Sequence, residues 1–304
     1  MEFNLIDLKI DIETDDPAGL RAYLFRSEAA FAKACKQAAC LNPAANCTIC
    51  RLKSDCAWQA VFGQELSVDS AALRRHQKPP LPFVFSFPVC SQLGNPQALE
   101  CRLSVVGSAV PHLELLLQGF RVLLSRAECP VSNNIQVYSR DYQGNSLAVG
   151  KGADINKAEN LIILSANELA DRSPWQCSRL TIRLLSPLKL LSNGSQLRQF
   201  EFGLFFRSLM RRVSSLAYYY GGHELDYDYK SLADLASTII CSENRFSYQS
   251  EMYGDKKMAG IHGSGCFEGD FSALMPMLVL GTYLHTGKKA SFGLGYYEIL
   301  SDQK

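Results

Sequence analysis

The stretch GTYLHTGKKASFGLGYYEI, residues 281–299, lies between a predicted helix and the last predicted strand of the chain. Apolar residues at helical spacing precede it in residues 271–284, and residues 296–300 are expected to form the closing strand. Further upstream, residues 199–220 carry apolar side chains three and four positions apart, which predicts an amphipathic helix. Strands are predicted at residues 180–184, 239–253 and 259–268. The resulting order of strand, helix, two strands, helix and strand is that of a ferredoxin-like unit.

The N-terminal half repeats this order of elements. Residues 3–13 alternate between apolar and polar side chains, which indicates a half-buried strand. The elements predicted after it are a helix at 27–40, strands at 82–88 and 99–106, a helix at 112–125, and short strands near Gln136 and Leu161. We therefore predict an α+β fold of two tandem ferredoxin-like (βαββαβ) domains. The first is expected to span residues 1–172, with a cysteine-bearing insertion at about 40–80, and the second residues 173–304, with the glycine-rich loop.

The composition is that of a globular protein. Apolar residues make up 47% and charged residues 20% of the 304 residues, which excludes a disordered or collagen-like chain. No apolar run reaches the roughly 18 residues of a membrane span, and the N-terminus lacks the pattern of a signal peptide. We therefore expect a cytoplasmic protein with no membrane partner. The net charge is +1, so any surface that binds nucleic acid must be local.

The glycine-rich stretch has the composition of a phosphate-binding loop. Gly287, Gly293 and Gly295 permit positive φ angles and close approach of another backbone. Lys288 and Lys289 add two cations, and successive N–H groups would suit a phosphate backbone. The alternative is a surface loop that uses glycine for its turns. The stretch does not match the P-loop pattern, because Lys289 follows Gly287 and Lys288 where that pattern needs Ser or Thr. It also lacks the third glycine of the Rossmann pattern.

A cysteine cluster marks the insertion. Its spacing is Cys40-x6-Cys47-x2-Cys50-x5-Cys56. Four thiolates could hold a tetrahedral zinc ion, which would then be structural because no coordination position stays open. The alternative is a set of reduced, half-buried cysteines or an occasional disulfide.

The histidines fit no common catalytic motif. The sequence contains neither H-E-x-x-H nor G-x-S-x-G, which argues against a metalloprotease and an α/β-hydrolase. His285 is the candidate of interest, because it lies next to Gly287 and Lys288.

Several stretches together resemble one known family. The C-terminal part contains HGSGCFEGD at 262–270, LVLGTYLHTGKK at 278–289 and SFGLGYYEI at 291–299. Earlier stretches agree with it, among them LRAYLFRSEAAFAKACKQAAC at 20–40, PPLPFVF at 79–85 and LTIRLLSPLKL at 180–190. This ordered set resembles the CRISPR repeat-processing endoribonucleases, the CRISPR-associated protein six family of the RAMP superfamily.

The resemblance implies both a substrate and a chemistry. The substrate is CRISPR precursor RNA, cleaved within its repeats to produce guide RNAs. Cleavage is metal-independent and needs no cofactor: the ribose 2′-OH attacks the adjacent phosphate and leaves a 2′,3′-cyclic phosphate and a 5′-OH. Such a reaction needs a base near the 2′-OH, cations for the phosphorane and a proton for the leaving oxygen.

The site residues depart from the pattern of many relatives, which carry an acid–base histidine on or just after the first helix. This chain has no histidine before His76. We expect His285 to act as acid or base, Lys288 or Lys289 to stabilise charge, and Tyr253 and Lys257 to be second candidates. The residues expected to contact RNA are Gly287, Lys288, Lys289, Gly293, Gly295, Arg207, Arg211, Arg212 and Lys33.

Two alternatives stay open. Instead of contacting RNA, Arg207, Arg211 and Arg212 would equally suit a helix face exposed to solvent. The whole chain would also suit a non-catalytic subunit that holds processed guide RNA among other subunits of a CRISPR effector complex.

Overall fold

The computed structural model describes residues 3–76, 78–88, 98–151, 154–155, 160–171, 178–192, 194–253 and 256–301. The predicted boundary between residues 172 and 173 lies outside these ranges and stays a prediction. None of the helices in the described ranges has the length and apolar character that crossing a bilayer requires.

The N-terminal half is an antiparallel sheet with helices packed on one face. Its strands are β1 (Asn4–Thr14), β2 (Phe83–Ser86), β3 (Ala98–Val106), β4 (Val131–Arg140), β5 (Ser146–Lys151), β6 (Asp154–Ile155) and β7 (Leu164–Ser165). Its helices are α1 (Pro17–Phe25), α2 (Glu28–Ala39), α3 (Ala57–Phe62), α4 (Ser70–Arg75), α5 (Leu113–Leu124) and α6 (Ala166–Asp171). The strand order is β2-β3-β1-β4-β5-β6, and β7 pairs with the start of β1.

The C-terminal half has the same plan. Its strands are β8 (Arg179–Leu188), β9 (Leu191–Ser192), β10 (Ser195–Gln196), β11 (Ile240–Asn244), β12 (Ser247–Tyr253), β13 (Lys256–Glu268) and β14 (Tyr297–Ser301). Its helices are α7 (Phe202–Leu216), α8 (Tyr229–Thr238) and α9 (Met275–Leu284), and a π-helical turn, Ala217–Gly221, extends α7. The strand order is β11-β13-β8-β14, with β12 also paired to β13.

The two halves share one topology. In each, the first strand of the unit lies between the third and the fourth, and the second strand lies outside the third, which is the ferredoxin-like arrangement. The predicted fold of two tandem ferredoxin-like units is therefore confirmed.

Some elements differ from the sequence-based prediction. Helix α1 was not predicted; it begins after Asp16, whose carboxylate accepts a hydrogen bond from Gly19 N at 2.8 Å, with Pro17 in its first turn. The strand predicted at 239–253 is two strands, β11 and β12. The two strands are separated at Arg245 and Phe246, opposite Gly263 of β13. The backbones approach closely here, since a Cβ on Gly263 would lie 2.2 Å from the Arg245 carbonyl oxygen.

The hydrophobic cores of the two halves interlock. Phe3, Leu5 and Val106 come from the N-terminal sheet but pack in the core built on α7 and α9. In return, Phe292 and Leu294 of the glycine-rich stretch pack in the core built on α2 and α5. This exchange places residues 285–296, which we call the glycine loop, at the seam between the halves.

Candidate active site

Both halves hold the glycine loop in place. From the C-terminal half, Arg212 on α7 donates from Nε to the Leu284 carbonyl at 2.7 Å and from Nη2 to Ser291 Oγ at 3.1 Å. From the N-terminal half, Phe85 N on β2 donates to the Ser291 carbonyl at 3.0 Å. The Phe292 ring lies edge-on to Phe83, with ring centres 5.6 Å apart. The loop is therefore a fixed part of the interface.

The glycines of the loop serve close packing. A Cβ on Gly295 would lie 1.8 Å from the Thr286 carbonyl oxygen, and one on Gly293 would lie 2.8 Å from the Phe87 ring. Both residues are buried, and their N–H groups donate to carbonyls of Ala290 and Pro187 inside the protein. These N–H groups are therefore already used within the protein, and contact of Gly293 and Gly295 with RNA stays a prediction.

His285 is also an internal residue. Its side chain is fully buried, its Nε2 lies 2.9 Å from Ser86 Oγ, and its ring stacks on Tyr296 at 4.7 Å. Burial, with a smaller contribution from the charge of Arg212, lowers the pKa of His285 from 6.5 to about 3. The expectation of an acid or base is corrected, because this ring is neutral near pH 7 and does not reach the surface. It connects the loop to β2.

A cluster of lysines lies on the outer side of the loop. Lys288 and Lys289 are exposed, and Lys289 Nζ lies 3.4 Å from Glu28 Oε2 on α2. Lys189, just after β8, accepts a hydrogen bond from Lys288 N on its carbonyl at 2.9 Å. Gly287 permits this approach, since a Cβ there would lie 2.5 Å from the same carbonyl oxygen. We call Lys189, Lys288 and Lys289 the lysine cluster.

Lys189 differs from the other two members of the cluster. Its side chain is half-buried, and burial together with the charges of Lys289 and Lys288 lowers its pKa. Sequence reasoning missed this residue. The available signal was its place in the stretch LTIRLLSPLKL, directly after the strand that pairs with the closing strand.

The remaining predicted RNA contacts fall into two groups. Arg212 donates from its guanidinium to the glycine loop, and burial lowers its pKa to about 10; its contact with RNA stays a prediction. Arg207 and Arg211 are exposed on α7, where Arg207 Nη2 donates to Ser237 Oγ at 3.2 Å, and Lys33 is exposed on α2.

The second candidates for catalysis lie at the tip of the hairpin formed by β12 and β13. The backbone of Tyr253 pairs with Lys256, and that of Met252 pairs with Lys257. The side chains of Tyr253 and Lys257 lie outside the described part of the structure.

A polar cleft of about 680 Å³ adjoins the loop and is lined by residues of the N-terminal sheet, of helix α9 and of β8 and β14. Arg102, Arg140 and Arg183 line it, together with Asp7 and Tyr296. Arg102 Nη1 donates to Tyr296 Oη at 3.1 Å, and Arg140 Nη1 lies 3.1 Å from Asp7 Oδ2. Burial raises the pKa of Asp7 in spite of these cations. Because Tyr296 stacks on His285, the cleft and the loop share one wall; sequence reasoning did not find this cleft.

The cysteines of the insertion do not form a preassembled metal site. Cys40, Cys50 and Cys56 line one groove of about 610 Å³ with His112. Within the described residues, however, no three His, Cys, Asp or Glu side chains come close enough to hold one metal ion. The set of Cys40, Cys47, Cys50 and Cys56 expected for zinc is therefore not brought together, and zinc content stays a matter for elemental analysis.

Comparison with protein families confirms the resemblance seen in the sequence. Residues 182–297 match the family model of the CRISPR-associated endoribonuclease Cas6, and residues 3–133 match a second model, described as an N-terminal domain. Residues 182–297 therefore form a domain of the Cas6 family. A comparison with curated proteins gives no match.

Solved structures share the fold over the whole chain. Thermus thermophilus Cas6 is 15% identical, with 99% of this chain and 100% of that one covered and a TM-score of 0.53. A Cas6 product complex is 14% identical, covers 97% and 100% of the two chains, and has a TM-score of 0.54. A chain of a partial Cas6-RT-Cas1–Cas2 complex is 11% identical, with a TM-score of 0.57, and this chain covers 47% of it.

Proposed function

We propose that the protein is a metal-independent endoribonuclease that cleaves CRISPR precursor RNA within its repeats to produce guide RNAs. The Cas6 domain at residues 182–297 supports the class of enzyme. The lysine cluster carries the proposal: Lys288 and Lys289 are exposed on a loop held by both halves, and Lys189 lies against that loop. The cluster offers positive charge at the surface, and an arginine-lined cleft adjoins the same loop. We propose that the reaction needs no cofactor.

The chemistry follows from what the cluster can supply. Attack of the 2′-oxygen on the adjacent phosphorus puts additional negative charge on the phosphoryl oxygens, and ammonium groups of Lys288 and Lys289 would stabilise this charge. The products would be a 2′,3′-cyclic phosphate and a 5′-OH. A rigid loop favours this reaction, because in-line attack depends on holding the RNA strand in one geometry.

The cleft suits the strand that continues from the scissile phosphate. Arg102 and Arg183 on opposite sheets offer cations to successive phosphates, and the exposed Arg207, Arg211 and Lys33 extend the positive surface. One relative of the same fold was solved as a product complex and another within a Cas6-RT-Cas1–Cas2 assembly. We propose CRISPR repeat RNA as the first partner and other CRISPR proteins as further partners.

The proposal is tested with purified protein and repeat RNA in EDTA. We expect cleavage at one position, with a cyclic phosphate on the 5′ product, and no cleavage of RNA that carries a 2′-deoxyribose at that position. The double variant Lys288→Ala, Lys289→Ala should cleave at least about 100-fold more slowly. A requirement for added divalent metal would contradict the mechanism.

The second candidate function is a non-catalytic RNA-binding subunit. The burial of His285 and the lack of any histidine before His76 favour it over a histidine-dependent nuclease. Tight binding of repeat RNA without cleavage in the same assay would support this function instead.

A further inference from the structure

We propose that Lys189 is the general base of the RNA cleavage, a catalytic residue that accepts the proton of the attacking 2′-OH. This inference rests on the proposed function and names the group that the cleavage reaction needs and that His285 does not supply.

The placement of Lys189 is the first argument. It lies between the end of β8 and the glycine loop, and its carbonyl is bonded to Lys288 N at 2.9 Å. The absence of a Cβ at Gly287 lets the loop lie directly against this residue. The charges of Lys288 and Lys289 both act on its ammonium group. A phosphate held by the two exposed lysines would therefore have Lys189 beside it.

The surroundings of Lys189 suit a proton acceptor. An exposed lysine is almost entirely protonated near pH 7 and cannot act as a base. Lys189 is half-buried and is acted on by the positive charges of Lys289 and Lys288; burial and these charges both favour its neutral amine. Lysines become bases in proteins when they are desolvated or placed beside another cation. Lys288 and Lys289 are exposed, and Lys289 Nζ lies 3.4 Å from Glu28 Oε2.

Other titratable groups around the loop fit the role less well. The His285 ring is fully buried, and its pKa of about 3 makes it a poor proton acceptor. Arg212 uses Nε and Nη2 to hold the loop. Glu28 is the remaining competitor, since its carboxylate lies 3.4 Å from Lys289 Nζ. The experiment therefore includes a Glu28→Gln variant.

The proton and the electrons balance as follows. The neutral Nζ of Lys189 takes the 2′-OH proton, so that one O–H bond breaks and one N–H bond forms. The 2′-oxygen then bonds to phosphorus, and the bond from phosphorus to the 5′-oxygen breaks. The leaving 5′-oxygen takes a proton from the ammonium group of Lys288 or Lys289, and exchange with water restores both lysines.

The test measures single-turnover cleavage of repeat RNA over a range of pH. Lys189→Met, which keeps the apolar stem of the side chain, should lose at least about 100-fold in rate with little change in RNA affinity. Lys189→Arg should not recover the rate, because guanidinium keeps its proton. Lys230→Ala, at an exposed position on α8, is the matched control and should cleave like wild type.

Two further readouts separate a base from a cation. The wild-type rate should rise with pH until Lys189 is deprotonated, and this rise should disappear in Lys189→Met. Added ethylamine should restore part of the activity of Lys189→Ala in proportion to its free-base form. Thermal melting of each variant verifies that it is folded.

If the wild-type protein cleaves and Lys189→Met or Lys189→Arg cleaves at the wild-type rate, this inference is overturned and the proposed function stays intact. Loss of activity in Glu28→Gln with an unchanged Lys189→Met would assign the base to Glu28. Failure of the wild-type protein to cleave any repeat RNA would overturn both proposals.

Discussion

His285 adopts a backbone conformation that few side chains tolerate, with φ of 56° and ψ of 178° at the end of α9. Such a conformation costs on the order of 1–3 kcal/mol and persists where the surroundings determine it. Here the bond to Ser86 Oγ and the stacking on Tyr296 hold the ring in place. The residue therefore contributes to the position of the glycine loop relative to β2, which is a structural role at a functional site.

The buried imidazole makes stability depend on pH. Its pKa is about 3 in the folded protein and near 6.5 when unfolded, so the unfolded state binds the extra proton between these values. We expect the free energy of unfolding to fall as pH drops below about 6.5, and to fall less in His285→Gln. Urea unfolding of both proteins at about pH 7.5 and about pH 5 measures the difference. Equal losses in the two proteins would contradict a neutral, buried His285.

The contrast between His285 and Lys189 shows where sequence reasoning ends. His285 lies in the glycine-rich stretch and Lys189 in LTIRLLSPLKL, and nothing in these residue types reveals that His285 is fully buried and Lys189 half-buried. Burial depends on Tyr296 and Ser86, which are respectively 11 and 199 positions away in the chain. Long-range packing of this kind has no signature in a single sequence.

At the scale of elements, the regular pieces were predictable because their apolar periodicity is strong. Helices α5 and α7 and strands β1 and β3 lie close to the expected positions. The glycine loop was found from the sequence, but the internal hydrogen bonds were not: the N–H groups of Gly293 and Gly295 donate within the protein. The sequence pattern indicates where a backbone approaches closely but not what it approaches.

The packing role of the loop glycines makes a direct prediction. In Gly295→Ala the new Cβ would lie 1.8 Å from the Thr286 carbonyl oxygen, at a φ of 66°. We expect a loss on the order of 3 kcal/mol or more in the free energy of unfolding, because backbone must move. Gly194→Ala is the control: φ there is 78° with no atom within 4 Å, so the loss should be about 1 kcal/mol. Chemical denaturation measures both, and equal losses would contradict the packing argument.

At the scale of the whole molecule, the interlocked cores argue against two independent domains. Phe3 and Leu5 complete the C-terminal core, and Phe292 and Leu294 complete the N-terminal core. A half that unfolds would therefore expose apolar surface of the other half. This coupling also explains how a site at the seam is kept rigid, since the loop that carries Lys288 and Lys289 packs Phe292 and Leu294 inside the opposite half.

The last prediction is that the two halves unfold together. In a Trp175→Phe variant, the fluorescence of Trp58 on α3 reports on the N-terminal half, and far-ultraviolet circular dichroism reports on the whole chain. We expect the two urea transitions to coincide. Phe292 belongs to the C-terminal half of the sequence, but its side chain packs against Phe31 and Phe83 of the N-terminal half. Phe292→Ala leaves a cavity there and should lower the free energy of unfolding from both signals by about 3–5 kcal/mol. Leu300→Ala, at an exposed position in β14, should change the free energy of unfolding from either signal by no more than about 0.5 kcal/mol. The contrary outcome is a two-step circular dichroism curve in which Phe292→Ala moves the fluorescence transition but leaves the second step unchanged. The halves would then unfold separately, and the exchanged side chains would stabilise only the core in which they lie.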